Sequence, residues 1–409
     1  MTARLVSRVV INGAKQVDMG DPVRQVEIGP VGSRLPMGPV LNATLRPDGV
    51  FAEFAERTVT LNADWLRDNC PCDACRIVQT DERRYQPWQQ TSAAEVAQVA
   101  TADGTLSITW SDGHESVFAP TAWERIDGAT RRGTYTANLW TAGYEIDRFD
   151  HDEAVNDSVT RRRLFEAFMR AGAVVVTGAP TVPGTVIDFV QALNLTLHDS
   201  SLGLIFDVKV DPAGFNVAFT NEYIPPHNDN AQYTDPPSGQ VLAMLVNDAV
   251  GGESVVVDGW SVLEQLQSID PTAIDVLCRV AVGFRQYSTT AEGFTRAAMV
   301  VRAPSGRFTH LRFSNQLRQP LPFDHPDLSE WYRAYRLLGT IVTDPANHVS
   351  FRLNAGDMLF VNGYRILHSR TAFDAAGARH LQDVYFDVDD VVGNLARLTG
   401  EATNAMVNS

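Results

Sequence analysis

Between residues 40 and 127, apolar side chains recur at every second position in short runs broken by turn residues: FAEFAERTVTLNADW, then LSITW, the turn Ser111-Asp112-Gly113, then HESVFAP. A period of two marks a strand with one buried face, and Gly, Asp and Ser between the runs mark tight turns, so this stretch predicts a small β-domain. Residues 1–35 alternate weakly and hold Gly and Pro without a firm period, which fits a loosely ordered tail or an extra edge hairpin. The segment IDGATRRGTYTANLWTAG, residues 126–143, mixes Gly, Thr and charge without apolar periodicity and reads as the junction between two domains.

Past this junction the pattern changes. Helical spacing appears in SVTRRRLFEAFMRAG and VPGTVIDFVQALN, with Pro183 near the start of the second, and the run AVVVTG between them reads as a buried strand. Strand-like runs follow: GQVLAMLV, ESVVVDG, RVAVGFRQYS, RFTHLRF, HVSFRL, DMLFVNG and HLQDVYFDV, with helical SVLEQLQS, PTAIDVLCRV and LSEWYRAYRLLGTIV among them. Many strands with a few flanking helices predict a mainly β sandwich or barrel-like core rather than a parallel α/β sheet.

Composition narrows the function. The 409 residues exceed one ordinary core, so two domains are expected. With 34 basic against 49 acidic side chains the net charge is −15, which opposes binding to nucleic acid or an anionic membrane surface. No apolar run approaches the ~20 residues of a membrane span, and the N-terminus lacks the pattern of a secretory signal, so a cytoplasmic location is expected. Of four cysteines, Cys278 lies in a helical run and reads as a small buried hydrophobe.

The other three, Cys70, Cys72 and Cys75, sit within six positions of one another in WLRDNCPCDACR. That spacing is too tight for a disulfide framework but suits a tetrahedral metal, and His114 in WSDGHES is the best candidate for a fourth ligand. A closed Cys3His zinc site of this kind is structural; the competing reading is free thiols beside an unrelated surface histidine. In IPPHNDNAQY, His227 and Asp229 stand two apart, which on an extended strand puts both side chains on one face. A second segment, GDMLFVNGYRILHSRTAFDAAGARH, leads through Asn362-Gly363 to His368 and, eleven residues on, Arg379. Two histidines and one carboxylate leave three adjacent positions open on Fe(II), two for 2-oxoglutarate and one for O2. Arg379 suits the far carboxylate of 2-oxoglutarate through a two-pronged, charge-assisted contact.

These motifs resemble the γ-butyrobetaine dioxygenase and trimethyllysine dioxygenase family from about residue 45 to 400. The matching landmarks are WLRDNCPCDACR, WSDGHESVF, FNVAFTNEYIPPHND, GGESVVVDGW, GDMLFVNGYRILHSR and RHLQDVYFD. The resemblance implies a double-stranded β-helix (jelly-roll) catalytic domain behind a zinc-binding domain, and a homodimer. The expected division is a tail over 1–35, a zinc-binding β domain over 36–130 and an Fe(II)/2-oxoglutarate oxygenase domain over 131–409. By position it assigns Cys70, Cys72, Cys75 and His114 to zinc, His227, Asp229 and His368 to iron, and Arg379 to 2-oxoglutarate. Substrates of the family carry a trimethylammonium group, held by cation–π attraction in an aromatic cage. Here Tyr385 keeps a cage tyrosine, Phe219 and Phe206 replace a tyrosine and a tryptophan, and Leu202 stands at another tyrosine position. Asn230 resembles the trimethyllysine branch, and Asn216 keeps a polar position facing the substrate. Tyr233 is a further candidate for contact with it. Arg312, Ser314 and Asn315 lie where the substrate's anionic end is expected, and Arg312 would suit a carboxylate or a phosphonate.

The expectation is therefore an enzyme that hydroxylates or desaturates an unactivated C–H of a small zwitterion such as γ-butyrobetaine or 2-(trimethylamino)ethylphosphonate, giving succinate and CO2. Three alternatives use the same residues: a zinc hydrolase built on the His/Asp/His set, an oxygenase acting on an unrelated small amino acid or phosphonate, and a catalytically silent zinc- and ligand-binding protein.

Overall fold

The computed structural model describes residues 23–399, apart from 78, 91–92, 201–202, 213, 215, 289–290 and 375. Leu202 therefore lies outside the described residues. Two compact units emerge, one built on residues 28–134 and the other on 135–395.

The first unit contains two antiparallel meanders. Val40–Arg46, Gly49–Phe54 and Thr58–Leu61 form one, and Val96–Ala102, Thr105–Trp110 and Glu115–Phe118 the other. Alternation decides which faces turn inward: in Thr105–Trp110, Leu106, Ile108 and Trp110 are buried. Their core is closed by the helix Pro120–Arg131, whose Trp123 stacks on Phe118 at 4.9 Å and meets Phe54 edge-on at 5.7 Å. The turn between the first two strands needs a glycine. Gly49 has φ +138, and a Cβ there would stand 2.4 Å from the Leu61 carbonyl.

The second unit is a jelly roll of two facing sheets. The larger runs Leu197–His198, Arg379–Phe386, Gly239–Asn247, Met358–Asn362, Ala173–Thr177, Arg148–Asp150, with Phe206–Val208 also on Arg379–Phe386. The smaller runs Ile224–His227, Ile366–Arg370, Ser254–Asp258, His348–Phe351. Leu242, Met244, Leu359, Val361 and Leu381 of the larger sheet share one core with Val256 and Ile366 of the smaller. The helix Ser158–Ala171 covers the outer face of the larger sheet, where Phe168 packs on Phe360 at 4.6 Å. Both faces of that sheet are thus buried, which is why its strands read as continuous apolar runs.

Two readings of the sequence need correction. The segment 126–143 is not irregular: it holds the end of the helix Pro120–Arg131 and the strand Tyr135–Trp140, which pairs with Val23–Ile28. Gly133 and the threonines hid a strand that buries Ala137 and Leu139 in alternation. The expected strand RFTHLRF is shorter, Phe308–Leu311, because the Arg312 side chain turns to the Ala231 carbonyl and Phe313 N donates to the Asn228 side chain. No helix among the described residues is long and apolar enough to cross a membrane.

Between the sheet and its helices lies a fully buried ion pair. Arg365 donates to Asp258 at 2.6 Å and 3.1 Å, and to the carbonyl of Arg170 at 3.0 Å. Asp258 in turn accepts from the backbone N–H groups of Trp140, Trp260 and Ser261, so it caps the helix Gly259–Ile269 and ties the strand Tyr135–Trp140 to it. Removing one partner strands a charge at 1% exposure or less. Asp258→Ala should therefore destabilise this unit by about 3–5 kcal/mol, read as a lower midpoint in thermal or urea unfolding, whereas an unchanged midpoint would show the pair to be dispensable.

Candidate active site

The smaller unit gathers its four predicted metal ligands. The helix Ala63–Asp68, capped by Asn62 accepting from Trp65 N, delivers the cysteine loop. Asp112 accepts from His114 N at 2.9 Å, and Gly113 at φ +83 completes the turn that aims the imidazole back at the thiols. His114 Nε2 lies 3.3, 3.7 and 3.6 Å from the sulfurs of Cys70, Cys72 and Cys75. Tetrahedral zinc with ordinary bond lengths requires about 3.6 Å between sulfur and nitrogen, so the donors fit that ion. Burial pushes the Cys75 thiol up to about 12 against the pull of the Arg67 guanidinium, which donates to its sulfur at 3.0 Å. Bound zinc would override that shift by taking the thiolate directly.

In the larger unit the predicted iron ligands come from two strands of the smaller sheet. His227 and His368 are register partners between Ile224–His227 and Ile366–Arg370, with ring centroids 4.4 Å apart. Asp229 lies just past the end of its strand rather than on it. What holds it there is Asn228, whose side chain donates to Gly363 O at 2.7 Å and accepts from Phe313 N at 2.7 Å. Asn230 then turns the chain at φ +57. The donor atoms of His227, Asp229 and His368 all lie within 4.8 Å of one another. The Asp229 oxygens stand 3.3 Å from His227 Nε2 and 3.6 Å from His368 Nε2. Three ligands on one octahedral face require separations of about 3 Å, so ferrous iron fits with a small contraction.

Neighbours fix each ligand's orientation. His227 Nδ1 donates to Pro225 O at 2.9 Å, which leaves Nε2 as the lone-pair nitrogen. Asp229 Oδ2 accepts from Gln240 Nε2 at 2.8 Å and from the Tyr385 hydroxyl at 3.0 Å. Burial would raise the Asp229 carboxyl, but the two imidazoles outweigh it and hold it well below the usual range. Burial, aided by His227, pushes His368 down to about 4, keeping that imidazole neutral as a metal ligand must be.

A pocket of about 810 Å3, counting its open side, surrounds the triad. The strand Arg379–Phe386 contributes alternate residues to it: Arg379, Leu381, Asp383 and Tyr385. Arg379 is 9% exposed, and no residue accepts a hydrogen bond from it or pairs with it among the described residues. Burial, with Arg352 nearby, pushes it down to about 10, so it stays charged at neutral pH. Phe206, Asn216 and Asn230 also line the pocket, while Phe219 packs edge-on behind Phe206 at 5.3 Å.

Arg312 corrects the expected anion site. Its guanidinium donates to the carbonyls of Ala231 and Tyr233 at 2.6 Å and Thr234 at 2.9 Å, and it does not line the pocket. The loop after Asp229 takes both terminal nitrogens of the guanidinium, leaving only Nε without a partner. Tyr233 contributes its carbonyl to this clamp rather than its ring to the pocket, and Asn315 is bound to the Tyr335 hydroxyl at 2.8 Å. Buried Ser314 lies off the pocket too. Asn228, Gln240 and Asp383 escaped the sequence reading; the signal for Asp383 was an acid at the inward-facing step of an otherwise apolar strand.

The cysteine site yields a direct test. Purified chain should hold one zinc by elemental analysis, and Cys75→Ser should cut that content to a small fraction and destabilise the smaller unit. Full zinc retention in the variant would remove Cys75 from the ligand set.

Known proteins match along most of the chain. Residues 134–385 match the family described as "Taurine catabolism dioxygenase TauD, TfdA family", and residues 52–123 match "Gamma-butyrobetaine hydroxylase-like, N-terminal". The chain is 30% identical over 369 residues to the gamma-butyrobetaine dioxygenase of Pseudomonas sp. (strain AK-1), covering 88% of this chain and 96% of that one. It is 24% identical to the Homo sapiens gamma-butyrobetaine dioxygenase, with 84% and 92% covered. The Gallus gallus mitochondrial trimethyllysine dioxygenase is also 24% identical, with 87% of each chain covered. With an iron-compatible triad and an unpaired arginine in one pocket, the chain belongs to the TauD, TfdA dioxygenase family and is a 2-oxoglutarate-dependent non-haem iron dioxygenase.

Proposed function

We propose that the protein oxidises an unactivated C–H bond of a small trimethylammonium zwitterion, by hydroxylation or desaturation. The observation that carries this reading is Arg379, a buried cation without an anionic partner, in the same pocket as three converging ligands. Burying an unpaired guanidinium is costly, and an incoming carboxylate relieves that cost. His227, Asp229 and His368 would hold the ferrous ion, and Arg379 the distal carboxylate of 2-oxoglutarate. When bound, iron and 2-oxoglutarate supply an oxidant strong enough to take hydrogen from carbon, with succinate and CO2 as co-products.

The chain's own part is to orient and to exclude water. Gln240 and Tyr385 fix the Asp229 carboxylate, while Val208, Leu242, Leu353, Leu359 and Leu381 give the pocket dry walls. Phe206 and Tyr385 offer aromatic faces to a quaternary ammonium, which has no hydrogen to donate. The names of the relatives, gamma-butyrobetaine and trimethyllysine dioxygenases, support this substrate class. With Arg312 committed to backbone, Asn216, Asn230 and Gln286 are the polar lining residues available to the anionic end. A cytoplasmic setting and a homodimeric state belong to the same proposal: three cysteines gathered for a metal rather than a disulfide support the first, and light scattering tests the second.

The test is to incubate iron-loaded protein with 2-oxoglutarate, O2 and γ-butyrobetaine, trimethyllysine or 2-(trimethylamino)ethylphosphonate. The expected result is a product changed by one oxygen or by loss of two hydrogens, with matching succinate. Succinate without change in any of the three would overturn the substrate class. His368→Ala should abolish turnover, and Arg379→Lys should raise KM for 2-oxoglutarate at least about tenfold, because an ammonium cannot reproduce the planar fork. A KM unmoved by that change would place the distal carboxylate elsewhere.

A further inference from the structure

The pocket holds a second buried charge-bearing group that the proposed reaction leaves unused. Asp383 is 2% exposed and lines the pocket, two residues from Tyr385 on the same strand face. Its Oδ2 accepts from Gln240 at 3.0 Å, while its Oδ1 has no hydrogen-bond partner. No Lys, Arg or His forms an ion pair with it among the described residues. Register places it between Phe206 on one neighbouring strand and Leu242 on the other, so a row of Phe206, Asp383 and Leu242 crosses the pocket wall.

A buried carboxyl with one oxygen bare, and the other meeting only Gln240 and, at 3.5 Å, the Tyr385 hydroxyl, is expensive to keep ionised. The bare oxygen is open to a group that enters the pocket. Burial raises the Asp383 carboxyl well above its ordinary range, with the Asp229 charge adding to the effect. An arriving cation would reverse that balance and stabilise the carboxylate.

We propose that Asp383 is the counter-charge for the cationic head of the substrate and determines its specificity for cations. This rests on the trimethylammonium reading above. The head lies against the ring of Phe206 with the bare Asp383 oxygen beside it, so ionic attraction adds to the cation–π contribution. Because Gln240 bridges Asp383 and Asp229, the cation stands close to the iron triad, and a carbon near the nitrogen is the one presented for oxidation.

The experiment compares γ-butyrobetaine with 5,5-dimethylhexanoate, in which a neutral tert-butyl group replaces the trimethylammonium at equal shape. Both are titrated anaerobically by calorimetry into iron-loaded protein with 2-oxoglutarate. Wild type should bind the cation more tightly, and the ratio of the two Kd values should fall at least about tenfold in Asp383→Asn and in Asp383→Ala. Taking the ratio within each protein cancels any general weakening of the site. A ratio unchanged in either variant overturns the proposal, and so does a wild type without preference, which needs no variant. If neither compound binds and wild type also leaves every trimethylammonium substrate unchanged, the substrate class itself has failed. Turnover of such a substrate with no dependence of the ratio on Asp383 overturns this inference alone.

Discussion

The antiparallel pairing of Ile224–His227 with Ile366–Arg370 sets His227 opposite His368, and the rest of the pocket is arranged around that cross-strand pair. Two imidazoles held by backbone register cannot drift apart without breaking a sheet, so the metal site borrows the rigidity of the jelly roll. The third ligand, Asp229, has no strand to hold it. Asn228 supplies the substitute by binding Phe313 and the turn at Gly363 simultaneously, and Arg312 clamps the three carbonyls that follow.

Backbone carbonyl partners distinguish Arg312, Arg352 and Arg370 from Arg379. Arg312, Arg352 and Arg370 each donate to three backbone carbonyls and thereby fix irregular segments. Arg379 is also buried, yet among the described residues it meets only the Phe373 ring, 5.5 Å away, and no hydrogen-bond acceptor or carboxylate. Asp383 is the acidic counterpart on the same strand, four residues further along. A single strand face therefore carries a buried guanidinium and a buried carboxyl, each with an atom lacking a hydrogen-bond partner, into one cavity. An anionic cosubstrate such as 2-oxoglutarate would complete the guanidinium.

Much of this was legible from residue order because period-two patterning and short ligand spacings are local signals. The alternation in LSITW predicts the strand Thr105–Trp110, and the apolar run DMLFVNG predicts Met358–Asn362. The triad was accessible through His227, Asp229 and His368 because a motif of two residues and a late histidine survive in the sequence without reference to the fold. What escaped was non-local. That Arg312 is consumed by carbonyls some eighty positions earlier, or that Asn228 reaches the turn at Gly363, depends on strand order and cannot be read from spacing. The strand Tyr135–Trp140 was hidden for a different reason: its polar Thr136 and Asn138 and the preceding Gly133 masked an inward face of small and medium residues.

The account's central claim is that one ferrous ion is held by His227, Asp229 and His368 with 2-oxoglutarate reaching from it to Arg379. Anomalous diffraction at the iron edge, from crystals grown anaerobically with Fe(II) and 2-oxoglutarate, addresses it most directly. The account predicts a single iron peak within bonding distance of those three side chains and the distal carboxylate of 2-oxoglutarate on the Arg379 guanidinium. An iron peak elsewhere, or a 2-oxoglutarate whose far carboxylate leaves Arg379 unpaired, would contradict it.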